Sequence, residues 1–392
     1  DEYMGKYPVI FISLKDVEGL SYDEAFQVFS SIIGNEISKF SFLAESDKLT
    51  VWEKEQFKGL LHIEKGKFIF DKDTFTASLK LLSQLLYKHY GQKVVILIDE
   101  YDVPLDKAYH NGYYHEMVSL IRGLFGQALK TNDYLQFAIL TGCLRISKES
   151  SFTGLNNFEI VSIMDSMYDE CFGFTDKEVQ EILKYFNLSE HYADIREWYD
   201  GYHFVAGGPG IYNPFSLLNT FKYMRLSDYW FETGTPTYLV ELLKRTNYDL
   251  YDMANTETDA DVLNSIDSAS NNPIPVIYQS GYLTIKDYEP EFKIYRLGFP
   301  NQEVEEGFMK YLLPFYTNIQ ASKSPFEIGR FVREVRAGDY DAFFHRLQSF
   351  FADTSYEAII GRNPERDTEL HYRNVLFIVF KLVGLYTQVE YH

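Results

Sequence analysis

The run Val94-Val95-Ile96-Leu97-Ile98, leading straight into Asp99-Glu100, constrains this chain more than any other segment. Five apolar residues, mostly β-branched, read as a strand buried on both faces, as in a parallel sheet covered by helices. The carboxyl ends of such strands open into the ligand crevice, so Asp99 and Glu100 fall where chemistry is done. The pattern is that of a Walker B strand. There the first carboxylate holds Mg2+ and the second polarises the water that attacks a nucleotide. No segment of residues 1–392 spells G-x-x-x-x-G-K-[ST], the loop whose backbone N–H groups and lysine cradle the phosphates.

The flanking segments alternate in the same sense. Val9 to Leu14 is a short apolar strand, and from Ser21 the apolar residues Ala25, Phe26, Phe29, Ile32 and Ile33 take helical spacing. Helices over Thr74 to Tyr90 and Tyr113 to Lys130 bracket the 94–98 strand. Leu135 to Leu140 forms the next strand, ending in Thr141-Gly142, and Phe158 to Ile163 reads as a fourth. This order predicts an α/β fold, a three-layer parallel sheet with helices on both faces. Thr141 then ends the strand beside Asp99, where a hydroxyl reaches a γ-phosphate or the attacking water. Arg145, four residues on, is a candidate phosphate sensor or finger. The plainer alternatives are a threonine closing a turn and an arginine in a surface ion pair.

Charge and cysteine usage exclude several classes. A net charge of -20 repels nucleic-acid backbones from the chain as a whole, although Lys323 to Arg373 is close to neutral. Cys143 and Cys171 show no paired spacing, which points to a reducing compartment and an expected cytoplasmic location, with no thiolate metal site. No apolar run is long enough to span a membrane, so no membrane partner is expected. His110 and His115 lack a third ligand and a shared helical face, which argues against zinc. The Gly207-Gly208-Pro209-Gly210 stretch contains proline and no lysine, so it reads as a turn rather than a phosphate loop.

The runs VVILIDEYDVPLD, LTGCLRISKESSFTGLNNF, WYDGYHF, IYNPFSLLNTF, YWFETGTPTYLVELL and IYQSGYLTIKDY closely resemble the AAA-ATPase-like proteins common in Bacteroidetes, over nearly the whole chain. Members of that family join a P-loop ATPase domain to a C-terminal PD-(D/E)XK nuclease-like domain. The resemblance implies ATP and Mg2+ as ligands. It assigns Asp99 to the metal, Glu100 to catalysis, and Thr141 and Arg145 to both nucleotide binding and catalysis. In that family the first strand and its phosphate loop lie upstream of the strand that begins here at Pro8, so the resemblance implies that they have been removed or were never present and that this chain alone turns over little ATP. The terminal TELHYRNVLFIVFKLVGLYTQVEYH resembles the first helix and opening strand of the nuclease-like fold. Its metal-binding Asp and Glu-x-Lys would follow His392, and Glu369 is a candidate helix carboxylate, or simply an acid favoured by a helix N-terminus.

The expected organisation is an ATPase core over residues 1–170, then a helical lid or winged-helix-like region over 171–252 that includes a capped helix from Thr175 to Phe186. A polar linker follows over 253–273. Residues 274–368 form a mixed β then helical connector, with β segments at 276–285 and 292–298. Residues 369–392 are the nuclease-like start, a helix from Glu369 to Val383 and a strand from Leu385. Two functional classes compete with an ATPase serving a nuclease-like domain. One is an ATP-independent module that binds a protein partner and keeps a relic Asp-Glu pair. The other is a nuclease acting on nucleic acid through its complete C-terminal domain.

Overall fold

The computed structural model describes residues 3–142, 159–162, 164–231, 237–253, 256–264, 272–317, 319–320, 322–352 and 364–386. It divides into two compact units, Asp1–Ile160 and Val161–His392.

In the first unit, β1 (Val9–Ser13) is followed by α1 (Tyr22–Ser38), α2 (Val51–Leu60) and a small hairpin of β2 (Ile63–Glu64) with β3 (Lys67–Phe68). Then come α3 (Lys72–Tyr90), β4 (Val94–Asp99), α4 (Val103–Asn111), α5 (Tyr114–Phe125), a π-helical turn Gly126–Lys130, and β5 (Leu135–Leu140). Strands β1, β4 and β5 form a parallel sheet with β4 in the centre, so the fold is α/β with a three-stranded parallel sheet. The helices start where local chemistry supplies caps. The Ser21 side chain accepts from the Glu24 N–H, Asp71 accepts from Asp73 and Thr74, and Thr50 with Glu53 forms a capping box. Gly91, at φ 71°, ends α3 in the left-handed conformation that glycine adopts without penalty.

The two faces of the sheet differ. Ile10, Ile12, Ile96 and Ile98, with Ala138 and Leu140 against them, pack with Phe29, Ile33, Phe75, Leu79 and Leu120 into one core. On the other face Val9 is 42% exposed, Phe11 49% and Ile139 52%. Helices on both faces were expected; the described residues cover one. The apolar strand misleads here because Val95 on the open face is shielded by its neighbouring strands, where Val9 and Phe137 stand in register with it.

The two sheet edges also differ. On β1 the Phe11 N–H, which faces away from β4, donates to the buried Glu36 carboxylate of α1 at 3.0 Å, and Lys39 balances that charge at 2.5 Å. A side chain thus closes this edge. Among the described residues β5 pairs with β4 alone. Glu36→Ala is expected to destabilise the unit by about 1 kcal/mol, because it removes the acceptor of a part-buried N–H. Glu36→Gln, which keeps an acceptor oxygen, should cost less, and urea denaturation of the two variants makes the comparison.

In the second unit a short antiparallel pair, β6 (Phe174–Thr175) with β7 (Ile211–Tyr212), accompanies α6 (Asp176–Tyr185), α7 (Tyr192–Tyr199) and α8 (Pro214–Tyr223). Next are α9 (Thr237–Arg245), α10 (Leu250–Met253), β8 (Thr256–Thr258), α11 (Ala260–Asn264) and α12 (Ile274–Gln279). The chain continues through β9 (Thr284–Glu289), β10 (Ile294–Gly298), α13 (Gln302–Tyr316), α14 (Ser324–Ala337), α15 (Tyr340–Ala352) and α16 (Pro364–Tyr386). A small apolar cluster holds Val179, Leu183, Ile195, Tyr199, Tyr212 and Leu217. A larger one centres on α13 and α16, with Phe308, Leu312, Val375 and Val379 fully buried.

Four local expectations are corrected. Glu159 to Ser162 are not strand, and Ile160 and Val161 are largely exposed with no strand beside them; Phe158 and Ile163 lie outside the described residues. The polar stretch 253–273 carries β8, which pairs with β10 through Glu257 and Arg296, and α11. Ile274–Gln279 is helix where a β segment was expected to begin at 276, because a short apolar run has no period that separates the two. Leu385 continues α16 instead of opening a strand, and that helix begins at Pro364, a residue favoured in a first turn.

Candidate functional site

Asp99 ends the central strand, and both flanking strands supply a hydroxyl to it. Thr141 Oγ1 donates to Asp99 Oδ1 at 2.7 Å, and Ser13 Oγ donates to Oδ2 at 3.3 Å. The backbone fixes both hydroxyls. Ser13 stands in register with Asp99, and the Leu14 N–H bonds the Asp99 carbonyl at 2.9 Å. Past the end of β5, the Thr141 N–H donates to Ile98 O at 2.9 Å and the Thr141 carbonyl accepts from the Tyr101 N–H at 3.0 Å. The carboxylate is therefore oriented by an extended ladder, and Thr141 itself is exposed, so the site opens to solvent.

Glu100 follows in the left-handed region at φ 57°. A non-glycine residue there carries roughly 1 kcal/mol of backbone strain. That conformation turns the chain sharply off the sheet, and Val103 N–H bonds the Glu100 carbonyl at 3.3 Å as α4 begins. Partial burial pushes the Glu100 carboxyl above its ordinary value, and the neighbouring Asp102 and Asp99 push it further. Asp102 is buried at the head of α4. Gly142 lies so close to the Asp102 carboxylate and the Tyr101 ring that a Cβ there would collide with both.

Three acids within four residues attract a cation. Among the described residues no group of three or more His, Cys, Asp or Glu is arranged to hold a metal. That donor set suits Mg2+, which takes one or two carboxylates and fills its shell with water and phosphate oxygens. It does not suit a metal that needs an all-protein cage.

Thr141 meets Asp99, and Glu100 follows Asp99 in the chain at the turn off the strand end. Arg145 and Cys143 lie outside the described residues. Ser13 was missed, although a signal existed in the hydroxyl that closes an otherwise apolar run. Glu369 is exposed on α16 and joins an open, polar depression lined by Asp249, Asp252 and Arg373, in which Arg373 pairs with Asp249 at 2.7 Å.

The parallel sheet of the first unit agrees with what comparison finds. Residues 1–152 match the family model of a predicted AAA-ATPase. An uncharacterized protein from the vnfD 5′ region of Azotobacter chroococcum mcd 1 is 31% identical over 306 residues, covering 76% of this chain and 58% of that protein. The chain thus spans little more than half the length of the curated relative it matches. No solved structure matches it. No described helix is long and apolar enough to cross a membrane.

Proposed function

We propose that the first unit is the catalytic core of an AAA-like ATPase, with Asp99 on the magnesium side and Glu100 as the base that activates water. Thr141 senses the γ-phosphate and Arg145 contacts the phosphates. The observation that carries this reading is the Asp99 carboxylate, aimed by Thr141 and Ser13 from the two neighbouring strands at the carboxyl end of a parallel sheet. A bound Mg2+ supplies charge neutralisation to the phosphates. The chain's own part is to hold Asp99 fixed, keep Glu100 close behind it, and offer the Thr141 hydroxyl at the mouth.

The phosphate cradle is proposed to come from a further strand and loop that dock on the edge of β5 away from β4, next to Thr141. Two observations favour that edge. The β1 edge is closed by Glu36, and β5 pairs only with β4 among the described residues. The family resemblance further suggests a nuclease-like domain that begins at α16, within the second unit, with nucleic acid as that domain's partner.

The test is Mg2+-dependent ATP hydrolysis by the natural protein including any residues upstream of Asp1. Turnover lost in Asp99→Ala supports the assignment. Turnover that survives Asp99→Ala overturns it, and failure to bind ATP favours the protein-interaction module. A second measurement concerns Ser13. Ser13→Ala frees one Asp99 oxygen from its hydrogen bond and is expected to raise the Mg2+ concentration needed for half-maximal turnover by a few-fold, about 1 kcal/mol of lost positioning.

A further inference from the structure

Glu303 is a fully buried carboxyl in the first turn of α13 that the proposed ATPase chemistry does not use. Its Oε1 accepts from Ser216 Oγ of α8 at 2.7 Å and from the Trp230 N–H at 2.7 Å. Its Oε2 is buried and meets no side-chain donor among the described residues, and the Phe231 backbone N–H adds a weaker interaction with the carboxyl. No ion pair to Glu303 is seen among the described residues. A carboxylate in that setting has lost its water without gaining a counter-charge, whereas the neutral acid loses far less.

The groups facing it reinforce this. From the 227–231 segment comes Asp228, a like charge; from α7 and the loop after it come the phenols of Tyr199 and Tyr202, and next to Tyr202 is Tyr282. On α13 itself Lys310 is engaged by Glu306 at 2.5 Å and by Asp228 at 3.7 Å. Alpha-helix α8 contributes hydroxyls only, Ser216 to Glu303 and Thr220 to Tyr199 Oη at 2.7 Å. Burial is the largest influence and raises the Glu303 carboxyl, the Ser216 and Trp230 hydrogen bonds pull it down, Asp228 raises it and the Phe231 N–H lowers it slightly, leaving it at about 7.

The location gives this acid a mechanical role. Ser216 neighbours Leu217 of the small cluster, and α13 is the spine of the large one. A polar seam of Glu303, Ser216, Thr220, Tyr199 and Ser227 runs where the two clusters meet, with Tyr199 Oη also bonding Ser227 O at 2.9 Å. We propose that Glu303 is a proton-operated latch: as a neutral acid it sits buried at little cost where α13 meets α8 and Trp230, and its ionisation leaves a charge without a counter-charge there, which loosens that joint between the small and large clusters. This goes beyond the ATPase reading and stands or falls without it.

The linkage has a definite sign. Glu303 binds its proton more tightly folded than unfolded, where the ordinary value is 4.5. The stabilisation is complete below that value, declines as pH rises, and is gone once pH passes about 7. The test is urea unfolding of the full chain from about pH 5 to about pH 8, followed by tryptophan fluorescence, for the parent protein and Glu303→Gln, which keeps shape without titrating. The parent's folding equilibrium should weaken by up to about tenfold per pH unit relative to the variant, levelling off near neutrality. Parallel profiles overturn the latch. Should Glu303→Gln not fold, Ser216→Ala decides: removing a donor to the carboxylate moves the midpoint to higher pH, and an unmoved midpoint overturns the proposal.

Discussion

Glu100→Gln is expected to leave Mg2+–ATP binding nearly intact and to lower kcat by about 10²–10⁴-fold, the range lost when a positioned general base is removed. The substitution preserves size and backbone demands, so the left-handed turn at φ 57° that swings residue 100 off the strand end is unchanged. Only the ability to take a proton disappears. Glu100 also sets the acid limb of the rate. A base works ionised, so the rate falls as pH drops through its pKa. Partial burial, Asp102 and Asp99 raise that value, and a Mg2+ held by Asp99 would pull against them, so the position of the limb reads the balance. Asp102→Asn removes one like charge and should shift the limb to lower pH while leaving the base in place. The measurements are kcat across pH and equilibrium ATP binding. An unchanged kcat in Glu100→Gln would remove this residue from catalysis, and an acid limb that ignores Asp102 would remove the electrostatic account.

The site was legible in the sequence wherever one strand carried it. Val94 to Asp99 announces a strand, its acids and its direction, and Leu135 to Thr141 does the same for its neighbour. The capped helix expected from Thr175 is α6, and its cap is a capping box of Thr175 with Glu178. Register was not legible: that Ser13, rather than another residue of β1, meets Asp99 depends on how two distant strands align across 86 residues. The open sheet face was hidden for a similar reason, since an apolar strand reads the same whether helices or flanking strands shield it. At Leu385 local β propensity lost to packing. Val375, Ile378, Val379, Leu382 and Val383 lie buried at helical spacing, and the helix simply continues past them. The 253–273 stretch failed because polar composition says nothing about an edge strand as short as Thr256–Thr258, which needs only β10 to hold it.

Phe75→Ala and Phe11→Ala should separate the two faces of the sheet by their effects on stability. Phe75 is fully buried in α3, with its ring 5.1 Å from Phe26, 5.0 Å from Phe29 and 5.8 Å from Phe70. Truncating it removes apolar burial and leaves a cavity that α1 and the Phe70 segment cannot close, a loss of about 3–5 kcal/mol. Against a total of roughly 5–15 kcal/mol, that leaves the first unit marginal or unfolded, and Asp99 loses the sheet that aims it. Phe11 stands on the uncovered face at 49% exposure, where replacement by alanine should cost only about 0.5 kcal/mol. Urea denaturation measured on both variants gives the contrast directly. If Phe11→Ala proved as costly as Phe75→Ala, that face would be covered in solution, and the sheet would have to be drawn with a layer on each side.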